Sequence, residues 1–205
     1  MIRLTFLGTG TSTGIPLIGC NCATCQSTDA KDKRLRASAL VETDTETLLI
    51  DAGPDFRQQL LRQPVTHIDG ILITHDHYDH TAGLNDALNR FPAEVYAGVA
   101  TVEGVPAHKM THGRTLRFGN ITGAVAVTPG HTPDSISLIL PGMVFTGDAL
   151  FSGSVGGTAS RAHAERQLRA VQEHILSLPG DYQIHTGHGP SSTVFIERHY
   201  NPFFQ

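Results

Sequence analysis

Residues 70–80, GILITHDHYDH, constrain this chain more than any other stretch. Ile71, Leu72, Ile73 and Thr74 form a short apolar, β-branched run that predicts a buried strand. His75, Asp76, His77, Asp79 and His80 then follow within six residues. Five such side chains at the end of a buried strand are costly to fold unless something holds them. His75 and His77 lie two apart, so extended backbone points both imidazoles to one side. Asp79 and His80 open a helix that turns two more groups toward the same space. Imidazole with carboxylate suits zinc, with iron or manganese as alternatives. The plainer reading is a polar loop that happens to be rich in histidine, and three downstream features weigh against it.

Those features are His131 in TPGHT, Asp148 in FTGDAL and His188 in TGHGP. Each follows a short apolar strand candidate, at residues 124–127, 143–145 and 182–184. Each sits beside a glycine, where backbone can turn sharply and approach an ion. In open α/β sheets the carboxyl ends of the strands are where ligands bind. Singly, each is better read as a hydrogen-bonded core residue; with HDHYDH they make one set.

The series HxHxDH, PGHT, TGD and GHG, in that order from residue 75 to 188, resembles the metallo-β-lactamase superfamily. The resemblance implies an α/β fold, a four-layer αββα sandwich with the metal site at one edge between the two sheets. Its two halves would meet near residue 115. It also implies two metal ions, expected to be zinc. His75, His77 and His131 would hold the first, Asp79, His80 and His188 the second, and Asp148 would bridge them. Asp79 and Asp148 would be catalytic, orienting a hydroxide shared by the metals. The Asp51-Ala-Gly turn would lie beneath the site, its carboxylate orienting a ligand histidine.

A chain of 205 residues fits a single domain spanning 1–205. A net charge of −4 argues against nonspecific wrapping of nucleic acid, and absent tryptophan with 6% aromatics argues against a base-stacking surface. No apolar run approaches the roughly 20 residues of a membrane span. The apolar start is too short for a signal peptide and reads as a strand. Cys20, Cys22 and Cys25, an odd number within six residues, predict a reducing cytoplasm rather than disulfides. They also offer three of the four ligands that a third, structural zinc needs. The partner expected is a small-molecule ester, with a homodimer left open.

Along the chain, GTGTSTG at residues 8–14 predicts a turn at the rim of the site. It has neither GK[ST] nor the GxGxxG spacing of phosphate loops. KDKRLR at 31–36 reads as a solvated loop, with phosphate contact as the sharper alternative. Residues 38–42 and 47–51 predict a hairpin, 55–63 a helix, and the ligand segment a helix reaching about Arg90. Strands are expected at 94–97, 115–118, 121–127, 135–140 and 143–145. His108 and His112, four apart, are assigned to a surface loop. Residues 152–158 predict a flexible loop. From Ser160 a helix follows, with Ala164, Leu168, Val171, Ile175 and Leu178 as its buried stripe and His163 and His174 on the surface. The closing ERHYNPFF predicts a docked tail.

The halves resemble different relatives. Residues 1 to about 80 are similar to the cyclic-phosphate phosphodiesterase branch, akin to tRNA 3′-processing ribonucleases, in LTFLGTGTSTGIP, GCNCATCQSTDAKDKRLR and LLIDAGPDFRQQLL. In that branch a histidine three residues past the last active-site histidine completes the cysteine zinc site. Here that position is Ser191, and His185 lies three residues before His188. From about Val95 the chain is similar to short glyoxalase-II-type hydrolases, in TPGHTPDSISLILPGMVFTGDALFSGSVGGT and HTGHGPSSTVFIERHYNPFF. A join between residues 79 and 95 suggests recombination, in nature or the laboratory. The resemblance implies hydrolysis of a thioester of the acyl-glutathione type. Its alternatives are phosphodiester hydrolysis, an iron-dependent persulfide-dioxygenase-like reaction, and metal binding without turnover.

Overall fold

The computed structural model describes residues 2–205. In the first sheet β1 (Arg3–Gly8), β2 (Ser38–Glu42), β3 (Thr47–Ile50), β4 (Gly70–Leu72) and β5 (Glu94–Ala97) lie side by side. A small hairpin of β6 (Thr101–Val102) and β7 (Val105–Pro106) then leads to the edge strand β8 (His108–Lys109), which pairs with β5. The second sheet comprises β9 (Thr115–Phe118), β10 (Ile121–Val127), β11 (Ile136–Leu140), β12 (Met143–Gly147), β13 (Gln183–Thr186) and β14 (Ser192–Thr193), adjacent in that order. The halves therefore meet between Lys109 and Thr115, as the resemblance implied. The helices are α1 (Ala23–Gln26), α2 (Phe56–Leu60), α3 (Tyr78–Thr81), α4 (Leu84–Arg90), α5 (Arg161–His174) and α6 (Val194–Tyr200).

Alternation along the strands builds the layers. In β2, β3 and β4, Leu40, Leu49 and Ile71 face outward onto Phe56, Leu84 and Phe91 of the α2 and α4 region. Their neighbours Val41, Leu48 and Leu72 face the other way, meeting Leu116, Phe118, Val125, Leu138 and Phe145 from the second sheet. On the far side of that sheet Val144 and Ile184 pack against Val171 and Ile175. Helix, sheet, sheet and helix are thus glued by three apolar seams, each buried Leu or Ile contributing about 1.5–3 kcal/mol. No helix among the described residues is long and apolar enough to cross a membrane.

Several local expectations are corrected. The helix after the ligand segment is two pieces, α3 and α4, broken at Gly83, whose N–H donates to the Ala52 carbonyl instead of continuing the helix. A Cβ on Gly83 would strike the Gly53 carbonyl and Phe56. Residues 31–36 are not simply solvated: Arg36 donates to Asp55 Oδ1 at 3.0 Å and to the Ser12 carbonyl at 2.8 Å, bracing the 8–14 turn. The segment 152–158 is tied down rather than flexible. Gly153 N–H donates to Glu197 at 2.9 Å, and Asn201 donates to the Ser154 carbonyl at 3.1 Å. The buried face of α5 centres on Gln167, Ala170 and Val171, with Ala164 and Leu168 only half-buried. His174 is half-buried, its ring stacked on His112 at 4.1 Å. Of the pair assigned to a surface loop, His112 lies in an exposed turn as expected, whereas His108 sits in the edge strand β8, paired with Glu94 and stacked on Tyr96.

Candidate metal centre

The strand ends of both sheets converge at one edge. His75 and His77 follow β4, and α3 carries Asp79 and His80. His131 comes from the turn after β10, Asp148 directly follows β12, and His188 follows β13. Their inward atoms form two triads, His75–His77–His131 and Asp79–His80–His188, each with atoms within 4.8 Å of one another. Asp148 groups with His75 from one triad and His80 from the other. Its Oδ2 stands 3.5 Å from His131 Nε2 and 3.2 Å from His188 Nε2, and its Oδ1 3.6 Å from His80 Nε2. Asp76, between the two histidines of the motif, points to solvent instead.

Partners behind the rings fix which nitrogen faces inward. His80 Nδ1–H donates to Asp51 Oδ2 at 2.7 Å, and His131 Nδ1–H to the Gly157 carbonyl at 2.6 Å. His188 Nδ1–H donates to the Gly10 carbonyl at 2.7 Å, and His75 Nδ1 lies 3.1 Å from Thr74 Oγ1. Each of these four rings therefore turns Nε2 to the centre, while His77 presents Nδ1, 3.0 Å from His131 Nε2. Asp51 lies beneath the site, as expected, and also accepts from Thr74 N–H at 2.8 Å. Gly187 permits the close approach: a Cβ there would collide with Asp148 Oδ1.

The charges of the cluster are strongly coupled. Burial, with His80 as a positive neighbour, pushes His75 down to about 2. Burial would raise Asp148, but His188 and the other histidines pull it down to about 2. Asp79 is likewise lowered despite its burial, by His188, His80 and the Ser12 hydroxyl. His188 is raised to about 10 against its own desolvation, because it stands between Asp148 and Asp79. His75 Nε2, His80 Nε2, Asp79 Oδ2 and Asp148 Oδ1 are buried with no hydrogen-bond partner. Four orphaned polar atoms cost roughly 1–3 kcal/mol each when left unmet. All four are lone-pair donors of the N/O type that zinc, iron and manganese accept, so the residues fit divalent ions.

Gln167 carries no motif signal, whereas Ser12 belongs to the glycine-rich turn expected at the rim of the site. Gln167 of α5 is fully buried and donates to the carbonyls of Ala149 at 3.1 Å and Gly156 at 3.0 Å. It thereby holds the segment that bears Asp148 at one end and the Gly157 carbonyl at the other. Ser12, from the glycine-rich turn, sits at the rim with its hydroxyl 3.5 Å from His188 Nε2. Away from the centre, the sulfurs of Cys20, Cys22 and Cys25 lie within 4.8 Å of one another, with no fourth His, Cys, Asp or Glu joining them among the described residues. His185 is occupied elsewhere, bonded to Ser191 and packed on Phe6 and Phe145.

A family model described as a β-lactamase superfamily domain matches residues 46–179. The chain belongs to the metallo-β-lactamase superfamily. Within this superfamily it is 33% identical over 151 residues to a hydroxyacylglutathione hydrolase of Idiomarina loihiensis, covering 72% of this chain and 59% of that protein. An 86-residue stretch is 50% identical to part of an octanoyltransferase of Porphyromonas gingivalis, 42% of this chain and 18% of that one. The chain thus spans less than two thirds of the length of either relative. Among solved structures, the BLEG-1 B3 metallo-β-lactamase aligns with a TM-score of 0.76 at 25% identity, over 99% of this chain and 100% of that one. A diphosphatase of the PhnP family aligns with a TM-score of 0.67 at 25% identity, over 94% and 97% of the two chains.

Proposed function

We propose that this chain is a dinuclear-metal hydrolase, with zinc as its ions, acting on a thioester of the acyl-glutathione type. The observation that carries the hydrolytic reading is the pair of ligand triads sharing Asp148, with four inward donor atoms buried and unmet. His75, His77 and His131 would hold one ion, Asp79, His80 and His188 the other, and Asp148 both. Bound there, the ions supply Lewis acidity that lowers the pKa of water toward about 7 and offsets charge developing on the substrate. The chain's own part is orientation. Asp51, Thr74, Gly157 and Gly10 keep Nδ1 protons on His80, His75, His131 and His188, leaving Nε2 lone pairs free. Asp79 and Asp148, held ionised, act as hydrogen-bond acceptors at the centre of the site. The thioester is favoured by the similarity to hydroxyacylglutathione hydrolases. A phosphodiester is the second reading, favoured by the near full-length alignment with a diphosphatase.

Elemental analysis of the purified protein, followed by assays on S-lactoylglutathione and bis-p-nitrophenyl phosphate, tests both readings. Two zinc ions per chain with thioester turnover are expected; one iron per chain points to the oxygenase alternative, and a loaded but inert protein rejects hydrolysis. His77→Ala should abolish turnover while the far-UV circular dichroism stays near that of the parent. Unchanged turnover in that variant would refute the site. We further propose that Cys20, Cys22 and Cys25 hold a structural zinc completed by a ligand other than His185. Cys22→Ser should then lower the melting temperature more than the rate; a slower enzyme with unaltered melting contradicts that role.

A further inference from the structure

A cavity of about 110 Å³ lies beside His131, lined by Gly130, His131, Pro133, Ala159, His163 and Arg166. Its volume is that of a small group rather than a whole substrate. His163 and Arg166 are three apart on α5, so their side chains share a helix face. No carboxylate lines the cavity. Arg161 on the same helix is occupied by Glu165 at 2.9 Å, whereas neither the Arg166 guanidinium nor the His163 ring pairs with any described residue. Both residues are exposed to solvent at the cavity and carry no partner among the described residues. The wall is fixed, because a Cβ on Gly130 would collide with Gln167, so the turn carrying His131 lies directly on α5. The amino-terminal turn of this 14-residue helix adds partial positive charge on the same side.

We propose that this cavity is an anion subsite, which holds a second negatively charged group of the substrate while the scissile ester lies at the metal centre. The proposal rests on the hydrolase reading above and deepens it. A guanidinium offers parallel N–H donors that match a carboxylate or a phosphate, the chemistry common to both substrate classes. In a chain of net charge −4, an unpaired guanidinium in a cavity beside His131 gives an anionic substrate a local attraction. The contact lies away from the reacting atoms, so it holds ground state and transition state alike. Its loss then appears in KM and not in kcat.

The test uses the full zinc-loaded chain with S-lactoylglutathione, which carries carboxylates, and the uncharged S-lactoyl-N-acetylcysteamine. Arg166→Gln should raise KM for the glutathione thioester about tenfold, with kcat within about twofold, and leave the uncharged thioester unaffected; His163→Ala should act in the same direction. Calorimetric titration of the zinc-loaded chain with S-methylglutathione and with inorganic phosphate gives a readout independent of turnover. Arg166→Gln should weaken the tighter probe about tenfold, and which probe is tighter assigns the group as carboxylate or phosphate. If no ester is turned over but the variant still loses probe binding, the hydrolase reading fails and the subsite stands. Normal turnover with equal KM changes on both thioesters, or probe binding indifferent to Arg166, overturns the subsite.

Discussion

Asp51 holds a φ of +59°, a left-handed conformation that costs a non-glycine residue roughly 1–2 kcal/mol. The surrounding bonds over-determine it: Thr74 donates through both N–H and hydroxyl, and His80 through Nδ1. Strain of this kind persists where a side chain must be aimed, and here it aims the ring of His80. Asp51→Asn keeps the size but removes the charge behind His80, so zinc affinity should fall about 10–100-fold in a competitive chelator titration. An unchanged affinity would show that Asp51 serves the fold alone. At this scale the sequence is highly legible where chemistry selects a residue type. Histidine and carboxylate at strand ends disclose the seven convergent side chains. The carbonyls of Gly10 and Gly157 that orient His188 and His131 are invisible, because any residue supplies a carbonyl.

Among the elements, α5 shows where periodicity reaches its limit. The 3–4 spacing of apolar residues finds the helix that follows Ser160, but the buried face is rotated toward Gln167. A glutamine scores as polar in any pattern. It is buried because two carbonyls of the loop beyond β12 need donors, and that demand arises only in three dimensions. Gln167→Leu keeps the volume and removes both bonds, at a cost of about 1–3 kcal/mol in stability. Because the loop carries Asp148 and the carbonyl behind His131, kcat/KM should also drop, on the order of tenfold. Cobalt substitution would report it separately, through an altered visible absorption band. Strands β2, β5, β9 and β10 match their expected bounds, since β-branched and apolar runs between turns leave little choice. The break between α3 and α4 was hidden because Gly83 is shaped by its contact with the Gly53 turn, far away in sequence.

For the whole molecule, the two sheets and three apolar seams follow from alternation within each strand, which is why the layers are readable before the loops are. Protonation tests the inner seam. His185 is buried against Phe6 and Phe145, and that burial lowers its pKa below the ordinary histidine value of about 6.5. The unfolded chain therefore binds the proton more readily than the folded one. The stability contributed by neutral His185 is full above about pH 6.5 and is lost as pH falls below it. His185→Phe should flatten the fall in melting temperature between about pH 7 and pH 5, relative to the parent. An identical slope in the two proteins would remove His185 from the account.

The division of the ligands has a wider consequence. His75, His77, Asp79 and His80 come from the first sheet's half, and His131, Asp148 and His188 from the second's. Any shift of one sheet against the other misplaces three or four donors at once. Captured ions would therefore act as rivets between two lobes, and their binding energy would count toward keeping the lobes in register. An exchange of either lobe for a cousin's is viable only when the newcomer docks with its donors at the same depth, so this edge polices which partners a lobe can accept.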